Sequence, residues 1–335
     1  YVGTMETTFQ ISAEAEASVT ADGNTTKYPA FEDAWEAAQG KTAEVTLLAD
    51  VEVSATLTVT SGSNITLKSE KDSNYTISGN VFNASSGLIN IASGGTLTLE
   101  SGTVENGAGG NNAIAVNGGR FVLNGGTAAA TADGHSGVCV YNRGTAEIQS
   151  GNVSGDVGVA AASDGSTITI SDGNISGRAS GVYVSGSGAK ITITGGSISA
   201  SNTKGENGAD GTALRIQSSG SALLSGGSYS GAYGILIDSG NSITLKELLN
   251  VGGDLKYAYY SNGVLVTEGL DGKTLTGSLT VEKCGHSYKT WTDKEDGENH
   301  IGTCVVCGHE ETPPMTGTQT ENVKQKAVMR RRQPA

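Results

Sequence analysis

GTLTLESG at residues 95–102 is one of six versions of a single phrase, and its reading decides the fold. The phrase is a small residue, a short strand of alternating apolar and polar residues, and a glycine turn. It returns as GRFVLNGG at 119–126, GTAEIQSG at 144–151 and STITISDG at 166–173, then as AKITITGG at 189–196 and GSALLSGG at 220–227. The closing glycines, Gly102, Gly126, Gly151, Gly173, Gly196 and Gly227, are spaced by 24, 25, 22, 23 and 31 residues. A repeat of this length that holds strands and no helix cannot bury its apolar face alone. Stacked on its neighbours, it builds a solenoid of β-coils.

Working outward from the phrase, each coil carries three strands. Alternation points Leu97/Leu99, Phe121/Leu123, Ala146/Ile148, Ile168/Ile170, Ile191/Ile193 and Ala222/Leu224 inward. AIAV at 113–116, GVCV at 137–140, GVYV at 181–184, ALRI at 213–216 and GILI at 234–237 supply another strand per coil. A third, shorter one follows the closing glycine, at Val104, Val153, Ile175, Ile198 and Tyr229. Ahead of the coils, Phe31, Ala34, Trp35 and Ala38 fall at i, i+3, i+4 and i+7 between Pro29 and Gly40, which predicts one amphipathic helix. Such a helix can cover the apolar end of the first coil.

Composition agrees with exposed coils held by tight turns: 50 glycines supply the backbone freedom the turns need. The 34 acidic against 21 basic residues leave a net charge of −13, which argues against nucleic acid as a partner. It suits a secreted, self-repelling monomer. No run of 18 apolar residues is present, so no transmembrane helix is expected. A chain opening at Tyr1 reads as a mature or excised fragment.

Three strands in a coil of about 23 residues, behind a helical cap, resemble the right-handed parallel β-helix of the pectin-lyase-like superfamily. The resemblance covers residues 43–282, and at the period of the repeat about ten coils are expected there. It implies fold more than activity, because that scaffold carries lyases, hydrolases and adhesins alike. Polysaccharide hydrolases of the superfamily share carboxylates near a Gly-His-Gly and an Arg-x-Lys segment. This chain has Gly134-His135-Ser136, and its Arg215-Ile216-Gln217 lacks the lysine.

Loop lengths vary between coils. Residues 105–112, 131–136 and 199–211 are long connections; 154–157 and 176–180 are short. Coils stack about 4.8 Å apart, so two low ones between taller neighbours leave a notch roughly 10 Å wide. Asp156 and Arg178 each lie five residues past a closing glycine, so they should be neighbours on its floor. With Asp133 and His135 they are the candidate catalytic set for a lyase or glycoside hydrolase. The ordinary alternative is a surface ion pair. Cys139, on an outward position of a central coil, is expected to be an exposed, inert thiol.

The C-terminal fifth is different. CGHSY at 284–288, Trp291 and NHIGTCVVCGH at 299–309 hold two chelating pairs, Cys284-x-His286 and Cys304-x-x-Cys307. Thiolate and imidazole suit a tetrahedral zinc ion, with His300 as a further candidate ligand. The stretch resembles the small Cys/His zinc-ribbon-like modules of surface proteins of Gram-positive gut bacteria. With no open coordination position implied, the zinc is structural. A Cys304–Cys307 or Cys304–Cys284 disulfide is the alternative.

These readings divide the chain into a polar segment (1–29), a capping helix (30–42), a parallel β-helix (43–282), a zinc-ribbon-like module (283–312) and a disordered tail (313–335). The expected function is that of an extracellular bacterial cell-surface adhesin binding a host or cell-wall glycan or protein. A polysaccharide lyase or glycoside hydrolase, and a structural stalk, are the alternatives.

Overall fold

A computed structural model describes residues 14–231, apart from 84–85, 203–210, 218–219 and 225, and beyond them the backbone of isolated strands. The described chain is a β-solenoid with three parallel sheets. The repeated phrase forms the first sheet, in which Thr96–Leu99 pairs in register with Arg120–Leu123, and so on turn by turn to Ser221–Leu224. The second sheet runs from Val51–Val53 through Thr103–Asn106 and Asn174–Gly177 to Ser228–Ser230. The third runs from Leu57–Val59 through Ser136–Tyr141 to Tyr233–Ile237.

The alternation in the phrase translates directly into burial. Leu97, Phe121, Leu123, Ile168, Ile170, Ile193 and Leu224 are fully enclosed, stacked with Val104, Val153, Ile175 and Ile198 from the second sheet. One contiguous core therefore runs along the axis. Between the second and third sheets it turns a corner through buried amides. Asn106 Nδ2 donates to the carbonyls of Val81 and Asn112, and its Oδ1 accepts from the Val81 amide. Asn112 in turn reaches the Ser86 carbonyl and the Ser136 amide. These side chains pair backbone groups that the bend takes out of the sheets.

The solenoid has about seven turns, not ten. Asn64 aligns with Thr96 and Lys190 with Ser221, so two turns consume 32 and 31 residues. After the third-sheet strand Tyr233–Ile237 the parallel stack stops, because that strand pairs antiparallel with Gly277–Lys283.

The N-terminal end is closed as the helix pattern predicts, with an addition. β1 (Ala17–Ala21) and β2 (Asn24–Tyr28) form a hairpin, and α1 (Phe31–Ala38) follows. β1 also pairs antiparallel with β3 (Thr42–Leu47), the first strand of the stack, and so occupies its open edge. α1 buries Phe31, Ala34, Trp35 and Ala38, and Trp35 Nε1 donates to the Thr58 carbonyl at 3.0 Å. It is the only helix among the described residues, so none there is long and apolar enough to cross a membrane.

Candidate functional site

The corner between the second and third sheets carries loops of different heights, and the predicted catalytic set gathers there. Arg178, on the sixth turn, reaches back over two turns. Its Nε lies 3.3 Å from Asp156 Oδ1 and its NH1 2.7 Å from Asp133 Oδ1, while its NH2 donates to the Ala132 carbonyl at 3.2 Å. Asp156 Oδ2 accepts the Gly134 amide at 3.0 Å, and the Asp156 and Val157 amides both donate to the His135 carbonyl. Asp156 and Arg178 are thus neighbours, as their positions in the repeat predict. Arg178 does not lie flat on an open floor; it ties the taller loop of the fourth turn to the two low turns beside it.

Sequence reasoning missed Phe82. Its ring is 66 % exposed, the one large hydrophobic side chain so exposed among the described residues. It meets His135 edge to face, ring centroids 6.2 Å apart at 80°. Phe82 belongs to the second turn and His135 to the fourth. The loop between them is Gly107-Ala108-Gly109-Gly110, which raises almost no side chain. A Cβ at Gly107 would stand 2.1 Å from Asn80 Oδ1, so a larger residue there would displace the Asn80 side chain. A lone phenylalanine in a polar loop carries no periodic signal, so alternation could not single it out.

Chemically the corner offers an apolar ring, an imidazole edge and an exposed carboxylate. Asp133 is 92 % exposed even while paired. Two carboxylates and a carbonyl surround the Arg178 guanidinium.

Cys139 corrects an expectation. It does point outward in the row Ala115, Cys139, Ala160, Tyr183 and Arg215. Yet it is only 3 % exposed. Tyr141, two residues on and so on the same face, hydrogen-bonds to Asn112 Nδ2 at 3.1 Å and to the Cys139 thiol. Its ring therefore lies back along the face and shuts the thiol from water. Burial pushes the thiol from 9.0 up to about 11, against the smaller opposing effect of hydrogen bonds from Tyr141 and Ser136.

Of the predicted zinc ligands, Cys284, His286 and Cys307 lie outside the described residues. The backbone of His300–Cys304 pairs antiparallel with Tyr288–Asp293, and the side chains of both strands are outside the description too. Among the described residues no three His, Cys, Asp or Glu side chains form a metal-binding group. Comparison with family models, with curated proteins and with solved structures finds no match to this chain.

Proposed function

We propose that this is an extracellular bacterial surface protein, an adhesin that binds glycan at the corner of Phe82, His135 and Asp133. The observation that carries the reading is the exposed Phe82 ring beside a polar cluster locked by Arg178. A sugar ring has an apolar face and a polar rim. Phe82 offers a surface for the first, while His135 and Asp133 offer hydrogen-bonding groups for the second. The locked Arg178 supports a binding role, since it pre-organises the corner.

In this reading the scaffold is a right-handed β-helix of the pectin-lyase type from a Gram-positive gut bacterium. A structural zinc at Cys284, His286, Cys304 and Cys307 closes the C-terminal module, with His300 the other candidate. Net charge −13 supports secretion and disfavours nucleic acid.

A glycan array probed with the wild-type chain and with Phe82→Ala tests the reading. Some glycans should bind, and the substitution should weaken them about tenfold, the worth of one aromatic contact. Binding unaffected by Phe82→Ala, or a wild-type chain that retains no glycan, would reject this corner as the site.

A further inference from the structure

The solenoid passes repeatedly from the third sheet to the first through one corner, and the repeats align that corner residue by residue. Two residues before the six first-sheet strands that start at Asn64, Thr96, Arg120, Thr145, Thr167 and Lys190 stand Gly62, Gly94, Gly118, Arg143, Gly165 and Gly188. All six have left-handed backbones, with φ of 82°, 80°, 78°, 63°, 69° and 65°. Glycine adopts that conformation freely, whereas a side chain crowds its own backbone there. The other non-glycine residues in this region of conformation among the described ones are Asp22, Asp72 and Asn142, of the two types that tolerate it. Among these six, Arg143 alone is not glycine. The fourth turn holds a long cationic side chain, at a cost in strain, where the other five positions hold glycine.

The fold obtains no ion pair in return. Among the described residues Arg143 pairs with no carboxylate, although other charges one turn apart do pair, as in Lys68–Glu44, Arg120–Glu147 and Arg178–Asp156. Its stem is seated on the next turn, where a Cβ at Gly165 would lie 3.0 Å from Arg143 Cγ. Asn142, Arg143, Ser163 and Asp164 line an open pocket of about 360 Å³. Asp164 also lacks an ion-pair partner among the described residues. One pocket thus carries one charge of each sign, on adjacent turns, and the two do not neutralise each other.

We propose that this pocket binds a small zwitterion of the α-amino-acid class, its carboxylate on Arg143 and its ammonium on Asp164. The guanidinium fork matches a carboxylate with two parallel hydrogen bonds. Asp164 disfavours a multiply charged anion such as phosphate and supplies the acceptor that an ammonium needs. The remaining groups are already aimed. Asn142 Nδ2 donates to Asn117 Oδ1 at 2.6 Å, which leaves its own Oδ1 as an acceptor. The Ser163 hydroxyl oxygen accepts the Asn142 amide, which leaves its proton for a ligand. The inference does not rest on glycan binding: the pocket lies at a different corner from Phe82, and the two readings fail separately.

The test is calorimetric titration of the full chain with L-alanine, N-acetyl-L-alanine and L-alaninamide. L-Alanine should bind and the two half-charged analogues should bind more weakly. Arg143→Asn keeps a residue that tolerates the left-handed backbone, so its melting temperature should hold or rise while L-alanine affinity falls about tenfold or more. Phe82→Ala should leave L-alanine affinity unchanged. The proposal is overturned if L-alanine does not bind, if N-acetyl-L-alanine binds as well, or if Arg143→Asn binds like wild type. A lower melting temperature for Arg143→Asn would also overturn it, by making the arginine a structural residue.

Discussion

At Cys139, direction and exposure part company. Strand alternation correctly gives the side chain to the outer face, and a reading by alternation then expects a wet thiol. What alternation omits is the reach of a neighbour: Tyr141, on the same face, folds back to Asn112 and covers it. The consequence is measurable. A thiol whose affinity for its proton is raised on folding, from 9.0 to about 11, stabilises the fold fully below pH 9. That contribution, on the order of 3 kcal/mol, is lost as the pH rises from 9 towards 11, because the unfolded chain ionises first. Burial raises the proton affinity of the Tyr141 phenol too, so it works in the same direction. Alkylation of Cys139 at pH 8, followed by peptide mass mapping, should be slow in the wild type and faster in Tyr141→Ala. The largest cause of the shift is burial, and the substitution removes it; the lost hydrogen bond acts the other way and is smaller. Equal rates in the two proteins would show that Tyr141 does not shield the thiol.

Among the elements, the cap shows what a pattern can and cannot reveal. The i, i+3, i+4, i+7 spacing of Phe31, Ala34, Trp35 and Ala38 marks α1, and all four are buried. The hairpin before it was also written in the chain, as Ala21-Asp22-Gly23-Asn24, with Asp22 and Gly23 both at positive φ. It passes unnoticed because β2, NTTKY, is polar and largely exposed. Such a strand is held by ladder hydrogen bonds, which leave no hydrophobic period. The buried Asn106 and Asn112 are hidden for the same reason, since polar residues at a bend read as loop. Hairpin and helix together cover the first coil, β1 on its edge and Phe31 and Trp35 on its apolar end. Trp35→Ala should cost about 3 kcal/mol or more and lower the melting temperature. Removing residues 1–40 should expose both edge and end, and light scattering should then report aggregates. A truncated chain that stays monomeric and melts with the wild type would remove the capping role from this segment.

For the molecule as a whole, the repeat predicts stacking well and its extent poorly. Register along the four-residue strands of the first sheet follows the quoted phrases from Thr96 to Leu224, and shifts only past Leu123, where Asn124 faces Ser150. The count of ten coils assumed a constant period up to residue 282. Turns of 32 and 31 residues, and the change to antiparallel pairing after Ile237, bring it to about seven. A solenoid of this kind is held turn by turn, each through contacts with its neighbours, so an event at one end need not spread. That independence bears on the zinc. The segment 283–312 is about 30 residues long, too short to bury enough apolar surface to fold without a staple. If zinc is the staple, its binding free energy is the folding free energy of the module, and the solenoid core owes it nothing. Elemental analysis should then find about one zinc per chain. A strong chelator should change the fluorescence of Trp291, read in a Trp35→Phe background because the chain has two tryptophans, and leave the β-sheet circular dichroism intact. A metal-free chain with a Cys304–Cys307 disulfide would establish the alternative staple, and the chelator would then change nothing.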